Sequence, residues 1–339
     1  MYNKILGCLI GAATGDAMGA ATEARSSNQI IDTFGGKVTE FIKPPNDTFG
    51  AGNQAGGFTD DFSSAYFVAK EIVDNAGVVN EEIVQNALVE WSKHAVFFDR
   101  FAGPTTRLAI KRFAGEEVQL SEGIKNKARQ ATNGAAMRIS PIGLINAANT
   151  DNAIKDAVIV ASVTHNNNLA ISGACAVAAA VSEAVREDSN LYDVIDAGIY
   201  GAKEGEKIGK AHSNNVAGPS VVNRIKMAVD IGFGTGSIDE CICNIADIIG
   251  TGLHVSETVP TAFGIIAACS GDSMRSISEA ASIGYDTDTI ATIVGGIVGA
   301  LNGDSSFPNH FISTMENVNK LDIKGLANDI YSLQLRKEH

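Results

Sequence analysis

Hydrophobic positions recur at three- and four-residue steps through most of the 339-residue chain. Between residues 60 and 75 they are Phe62, Ala65, Tyr66, Ala69, Ile72 and Val73. This spacing places the apolar side chains on one face of an amphipathic helix. The same period occurs at 151–161, 190–203, 238–249, 273–283 and 321–334. The pattern therefore predicts a mostly helical protein.

Three further runs, at 5–20, 167–184 and 288–301, are rich in Ala and Gly on nearly all sides. Helices that are apolar all round are usually buried, and small side chains let neighbouring helices approach closely. Strand-like alternation is scarce, and Lys37–Phe41 is the one weak candidate for a strand. Because we find no flexible linker and no repeat, we expect a single compact all-α domain over residues 1–339.

Composition narrows the classes of function. The 45% hydrophobic content is sufficient for a large core, and the net charge of −13 opposes non-specific binding to nucleic acid or anionic membranes. No apolar run reaches the roughly 18 to 20 residues needed to span a bilayer. The N-terminal apolar run ends at Asp16 without a signal-peptide cleavage pattern. An odd number of cysteines, five, fits a reducing compartment, and we expect a cytoplasmic protein.

Two acidic clusters stand directly before apolar helices. Thr59-Asp60-Asp61 precedes the helix that begins near residue 62, and Asp286-Thr287-Asp288-Thr289 precedes the helix near 290. Helix capping is one interpretation, since Asp and Thr are favoured at helix starts. However, capping needs only one carboxylate, whereas two at each end repel each other. Hard cations such as Mg²⁺ or Mn²⁺ bind oxygen ligands and would remove this conflict.

Polar groups also interrupt apolar surroundings at three other places. Asn133-Gly134-Ala135 has the small residues that expose backbone N–H groups to a phosphate or ribose oxygen, although an ordinary capped turn fits as well. His165 lies between two helical patterns and is either a ligand contact or a structural donor. Asp16 and Glu23 are candidates for a catalytic acid or base, with capping or solvation as the alternative.

Together these stretches resemble the ADP-ribosylglycohydrolase family. The matching segments are GCLIGAATGDAMGAATE at 7–23, GGFTDD at 56–61, GPTTR at 103–107, NGAAMR at 133–138, VTH at 163–165 and DTDTIATIVGGIVGA at 286–300. They occur in the family's order and extend over almost the whole chain. The resemblance implies an orthogonal multi-helix fold with a binuclear Mg²⁺ or Mn²⁺ centre.

The resemblance also implies roles for single residues. The metal ligands would be Thr59, Asp60, Asp61, Asp286, Asp288 and Thr289, and Glu23 matches the family's acidic catalytic position. Asn133, Gly134 and Ala135 match a loop that contacts ribose and phosphate, and His165 matches a residue near the diphosphate. The implied reaction is hydrolysis of a ribosyl C1 bond, most commonly the bond that links ADP-ribose to a protein acceptor.

Two departures from the family pattern affect the expected substrate. Tyr285 stands where the family usually has Gly, and Phe62 stands where it usually has Thr. We expect both to add bulk beside the metals, with Tyr285 as a substrate contact. The family also has an acidic residue shortly before the GPTTR segment, where Asp99 is near but uncertain in spacing.

Three functions remain open at this point. The first is a metal-dependent hydrolase that removes ADP-ribose from an acceptor. The second is a hydrolase of a free nucleoside or small ribosyl metabolite, which stacking of a base on Tyr285 would favour. The third is a non-catalytic ADP-ribose-binding protein, which would have no need to keep two costly buried Asp pairs.

Overall fold

The computed structural model describes residues 1–116 and 127–337. Within these ranges it contains 17 α-helices and no β-strand. In chain order, α1 to α17 are Tyr2–Gly19, Ser27–Phe34, Asp60–Asp74, Glu81–Ser92, Ala95–Phe101, Pro104–Phe113, Ser140–Ile145, Thr150–Thr164, Asn168–Ala184, Leu191–His212, Val221–Gly232, Ile238–Ile248, Val255–Ala268, Ser273–Ala280, Thr287–Asn302, Asn309–Asn319 and Ile323–Lys337. The predicted all-α fold is confirmed.

The three Ala/Gly-rich runs form buried helices, namely α1, α9 and α15. Helix α1 packs directly against α15 because glycines remove the side chains between the two backbones. A Cβ atom added to Gly11 would lie 2.0 Å from the carbonyl oxygen of Gly295, and a Cβ on Gly295 would lie equally close to that of Gly11. Such distances exclude any larger residue. This backbone contact compensates for the low helix propensity of glycine.

The close contact between these helices continues to the start of α15. A Cβ atom on Gly19, the last residue of α1, would lie 2.4 Å from the Cα of Asp288. The chain that leaves α1 therefore begins beside the first turn of α15. Glu23 follows four residues later, so the packing of two apolar helices brings an acidic residue to an acidic helix start.

The segment Lys37–Phe41, our one strand candidate, is irregular in the structure, and that expectation is wrong. Val38 is buried, and its backbone N–H donates a hydrogen bond of 3.0 Å to the hydroxyl of Ser282. The ammonium of Lys37 lies 2.7 Å from the carboxylate of Glu279. Distant side chains thus hold this segment, and the alternation of its residues reflects those contacts.

Buried apolar side chains form a cluster that extends from Ile5 in α1 to Leu333 in α17. A single domain over the whole chain stays our interpretation of this arrangement. Of the helices in residues 1–116 and 127–337, none has the length and hydrophobicity that a membrane crossing requires.

Candidate active site

The two acidic helix starts meet at one cleft. Asp60 and Asp61 lie in the first turn of α3, and Asp288 lies in the first turn of α15. The cleft has a volume of about 540 Å³. We call it the acidic cleft, because its lining includes Glu23, Asp60, Asp61, Asp286, Asp288 and, beside them, Thr289. The structure therefore brings together the residues that the sequence placed at two distant motifs.

Three carboxylates are close enough to share one ion. Glu23, Asp286 and Asp288 each offer an oxygen atom, and these atoms lie within 4.8 Å of one another. A fourth, Asp61, has a buried Oδ1 atom without a hydrogen-bond partner, whereas its Oδ2 accepts a bond of 3.0 Å from the hydroxyl of Thr59. Buried polar atoms are rarely left unpaired. The free oxygen and the oxygen-only donor set fit a hard divalent cation.

The protein raises the pKa of every carboxyl in the acidic cleft. For Asp60 the pKa is raised to about 7 and for Glu23 to about 10, mainly by burial and next by the charge of Asp288. Burial also raises the pKa values of Asp61, Asp286 and Asp288. Because these groups penalise one another's ionisation, the cleft holds protons unless cations replace them.

Asp16, which the sequence left as a candidate acid or base, lies behind the acidic cleft and is fully buried. Its carboxylate accepts hydrogen bonds from the N–H and the hydroxyl of Thr59 and from the N–H of Phe62, all between 2.8 and 3.1 Å. Asp16 therefore fixes the start of α3. Thr59, an expected metal ligand, caps this helix and does not line the cleft.

Asn133 connects its loop to α15. Its side-chain amide donates a hydrogen bond of 2.9 Å to the hydroxyl of Thr258 and a second, short one to the carboxylate of Asp286. Its backbone N–H donates to the carbonyl of Leu253. These bonds hold the Asp286 carboxylate toward the cleft. Asn133 and its neighbour Gly134 line the cleft, whereas Ala135 is buried and does not.

His165 also lines the cleft and packs against Gly134. A Cβ atom on Gly134 would lie 2.8 Å from Cε1 of the His165 ring, so this position has no room for a side chain. The ring nitrogens lie 2.9 Å from the hydroxyl of Thr132 and 2.7 Å from that of Thr164. Burial and the nearby charge of Arg138 lower the pKa of His165 to about 3, so the ring is neutral.

The two departures from the family pattern lie outside the acidic cleft, which differs from our expectation. Phe62 is fully buried and packs edge-on against Phe58 with ring centroids 5.0 Å apart. Tyr285 has a φ of +68° and a side chain that is 54% exposed, and it lines a second cavity. The ring of Tyr285 therefore lies at the second cavity and not in the acidic cleft. Asp99 is exposed and does not line the cleft.

Sequence analysis assigned no role to Arg138, a buried charged group behind the cleft. The side chain is 1% exposed, and its Nη2 donates a hydrogen bond of 3.2 Å to the hydroxyl of Thr106, which lines the cleft. Its charge favours ionisation of Asp60, and burial lowers its own pKa to about 10. In the sequence, Arg138 is the one charged residue of an otherwise small and apolar run from 134 to 145, and this pattern could have indicated a buried functional charge.

Comparison with known proteins agrees with this geometry. The sequence profile of the ADP-ribosylglycohydrolase family matches residues 1–339. The chain belongs to the ADP-ribosylglycohydrolase family. The resemblance inferred from six short motifs is thereby confirmed, and members of this family are glycosidases that act on ADP-ribosyl substrates.

Relatives of this ADP-ribosylglycohydrolase family member span its whole length. An uncharacterised protein of Escherichia coli, YegU, is 29% identical over 99% of this chain and 98% of its own. The ADP-ribosylhydrolase ARH3 of Bos taurus is 23% identical over 95% of this chain and 91% of its own. A solved structure described as an ADP-ribosylglycohydrolase-related protein complex is 20% identical, with a TM-score of 0.68 and 98% coverage of both chains. This last likeness supports the fold.

Proposed function

We propose that the acidic cleft binds two divalent cations, Mg²⁺ or Mn²⁺, and that the protein hydrolyses a ribosyl C1 bond to remove ADP-ribose from an acceptor. The observation that carries this proposal is the grouping of Glu23, Asp286 and Asp288 within 4.8 Å, next to an unpaired oxygen of Asp61. When bound, such cations would hold ribose hydroxyls and orient a water molecule. The proposed ligands are Asp60, Asp61, Asp286, Asp288 and Thr289, whereas Thr59, which does not line the cleft, would hold Asp61 in place by its hydrogen bond.

We assign proton transfer to Glu23. Its side chain is partly exposed at the cleft, and it lies beside Asp286 and Asp288 without belonging to either helix start. In the hydrolysis, a water oxygen bonds to C1, and the bond from C1 to the acceptor atom breaks. One proton of that water remains on the new C1 hydroxyl, and the other reaches the acceptor atom by way of the Glu23 carboxyl. Positioned acids and bases commonly act at such oxocarbenium-like centres.

The lining of the cleft also includes polar groups that are not acidic. Asn133, Gly134, the neutral His165 and the basic Arg129 belong to it, and Arg138 lies behind it without reaching the surface. Ribose and diphosphate oxygens accept hydrogen bonds from such donors, and an arginine favours the charge of a diphosphate. We therefore place the ADP-ribose part of the substrate here, as the family resemblance implies. The volume of the cleft falls within the usual range for small-molecule sites.

A release assay tests this function. The purified protein, freed of metal and then given Mg²⁺ or Mn²⁺, is incubated with ADP-ribosyl-arginine, an ADP-ribosyl-serine peptide and a panel of nucleosides. We expect metal-dependent release of ADP-ribose from at least one modified amino acid, and its loss in the double variant Asp60→Ala, Asp288→Ala. Release of base from nucleosides alone would instead support a small ribosyl substrate. Binding of ADP-ribose without any hydrolysis would support a non-catalytic protein.

A further inference from the structure

A second cavity lies beside the acidic cleft and is larger than it, with a volume of about 730 Å³. The polypeptide after α1, helices α2 and α12, and the segment from 279 to 285 form its walls. Apolar side chains of α2 and α12, such as Ile31 and Ile242, lie there together with charged groups. Neither the proposed metal ligands nor the proposed ADP-ribose contacts extend into this cavity.

One thin wall separates the two cavities. Consecutive residues contribute to opposite sides of it: Glu23 lines the cleft and Ala24 the second cavity, while Asp286 lines the cleft and Tyr285 the second cavity. The wall is a single pair of backbone segments, since the N–H of Tyr285 donates to the carbonyl of Arg25 and its carbonyl accepts from the N–H of Ala24, both at 2.8 Å. The two cavities are therefore separated by only the thickness of the backbone.

The rim of this wall carries an aromatic ring in an unfavourable backbone conformation. Tyr285 has a φ of +68°, in the left-handed region that suits glycine, and its ring is about half exposed. The ring packs against the backbone, because a Cβ atom on Gly252 would lie 3.0 Å from Tyr285 Cε1. Non-glycine residues held in this conformation concentrate at functional sites. The position thus keeps an aromatic ring in the second cavity, one residue before Asp286 in the chain, at a conformational cost.

Carboxylates outnumber basic groups around the second cavity. Lys37 lies 2.6 Å from Asp239 and 2.7 Å from Glu279, so one ammonium faces two carboxylates. Arg25 lies 2.7 Å from Asp47. Asp247 in α12 is exposed toward the cavity and forms no ion pair with any residue in 1–116 or 127–337. An aromatic face together with a free carboxylate is a combination that attracts a planar cation.

We propose that the second cavity receives the leaving group of the reaction, and that this group is a planar cation bonded to ribose through nitrogen. The proposal rests on the function proposed above. With ribose held at the metal ligands, the acceptor atom at C1 would lie at Glu23, directly on the wall. The leaving group would then pass over the rim, stack on Tyr285 and approach Asp247. A serine acceptor has neither the planar face nor the charge to use these contacts.

Two sources supply this chemistry, namely the guanidinium of a modified arginine and the pyridinium of a nicotinamide dinucleotide. The experiment measures kcat/KM of the metal-loaded protein on ADP-ribosyl-arginine, on the dinucleotide and on an ADP-ribosyl-serine peptide. Whichever of the two planar cations is the substrate, Tyr285→Ala should lower its kcat/KM about tenfold, and Asp247→Asn about threefold. Tyr285→Phe, which keeps the ring, should stay within about twofold, and the serine peptide should change less than threefold with every variant.

Further variants distinguish an effect on substrate selectivity from an effect on folding. Tyr285→Gly removes the ring and also relieves the backbone conformation, so it should match Tyr285→Ala in selectivity while its Tm equals or exceeds that of the wild type. Tyr192→Ala removes another exposed tyrosine, which stacks on Phe233 and lines neither cavity. This change should leave all three rates unchanged. Equal losses on the planar and serine substrates with Tyr285→Ala, or a wild-type preference for serine, would overturn the assignment of the cavity. Absence of hydrolysis of any substrate by the wild type would instead overturn the proposed function itself.

Discussion

The carboxylate of Asp16 accepts hydrogen bonds from both the backbone N–H of Thr59, at 3.0 Å, and its hydroxyl, at 2.8 Å. This contact joins the last turn of α1 to the start of α3 inside the core. Because Asp60 and Asp61 follow Thr59 directly, the direction in which they project depends on a residue that never contacts the cleft.

Replacement of Asp16 should therefore affect both folding and metal binding. In Asp16→Ala the N–H groups of Thr59 and Phe62 lose their acceptor in a fully buried site, and each unpaired group costs about 1–3 kcal/mol. We expect the free energy of unfolding in urea to fall by at least about 2 kcal/mol, and the affinity for Mn²⁺ to fall as well. Asp32→Ala, an exposed change on α2, should stay within about 0.5 kcal/mol. Unchanged stability of Asp16→Ala would refute this role.

Stability of the metal-free protein should fall as the pH rises. The folded-state pKa values of the cleft carboxyls lie above their unfolded values, with Asp60 at about 7 and Glu23 at about 10. Their protonated forms therefore stabilise the fold fully below about pH 4, and this contribution is lost as the pH rises through the folded values. Calorimetry in EDTA should show Tm falling between pH 5 and 9, and Mn²⁺ should largely abolish the fall.

Neutralising one carboxyl group of the cleft should make Tm depend less on pH. Asp288 adds to the raised pKa of five neighbours, so Asp288→Asn should make the decline of Tm with pH shallower in EDTA. Asp32→Asn, outside the cleft, should leave the slope as it is. A Tm that is flat or rises over this range in the metal-free wild type would contradict the electrostatic account of the cleft.

Gly134 should not tolerate a methyl group. In Gly134→Ala the new Cβ would lie 2.8 Å from the His165 ring, so the ring must move from its bonds to Thr132 and Thr164. We expect KM for the ADP-ribosyl substrate to rise at least about tenfold with kcat less affected, since this region is proposed to bind and not to react. A normal KM in Gly134→Ala would remove Gly134 and His165 from the proposed binding region.

Glu23→Gln should lower turnover while the protein stays folded. Loss of a positioned acid or base typically costs about 10² to 10⁴ in rate. We expect kcat to fall into this range, with Tm at pH 8 in EDTA nearly unchanged, because the pKa of about 10 leaves the Glu23 carboxyl uncharged at that pH. Glu82→Gln, an exposed change in the first turn of α4, should have no effect on kcat. A loss below about threefold would show that another group transfers the proton.

Local sequence patterns sufficed for the helices and for the acidic helix starts. The period at 60–75 predicted α3, and the Ala/Gly-rich run at 288–301 predicted a buried α15. The paired carboxylates at both starts indicated a cation site from their repulsion alone. That the two starts face each other across one cleft came from the family resemblance, because spacing within the chain carries no information about which helices meet.

What the sequence could not predict depends on contacts between distant residues. From the sequence alone, Asp16 is a candidate acid. In the structure its oxygens accept hydrogen bonds from Thr59, which lies 43 positions later in the chain. The ring of Tyr285 was expected beside the metals, but hydrogen bonds to residues 24 and 25 hold its backbone at positive φ and turn the ring to the second cavity. The apparent strand at Lys37–Phe41 likewise owes its alternation to Ser282 and Glu279.

The central claim is that the acidic cleft binds two divalent cations, and a count of bound metal tests it most directly. The protein is loaded with Mn²⁺, freed of excess metal by gel filtration and measured by elemental analysis against protein concentration. We expect two Mn²⁺ per chain in the wild type and in the exposed control Asp32→Ala, Glu82→Ala, and fewer than one in Asp60→Ala, Asp288→Ala with its helical content retained. An unchanged count in the Asp60→Ala, Asp288→Ala protein would contradict the assignment of the site.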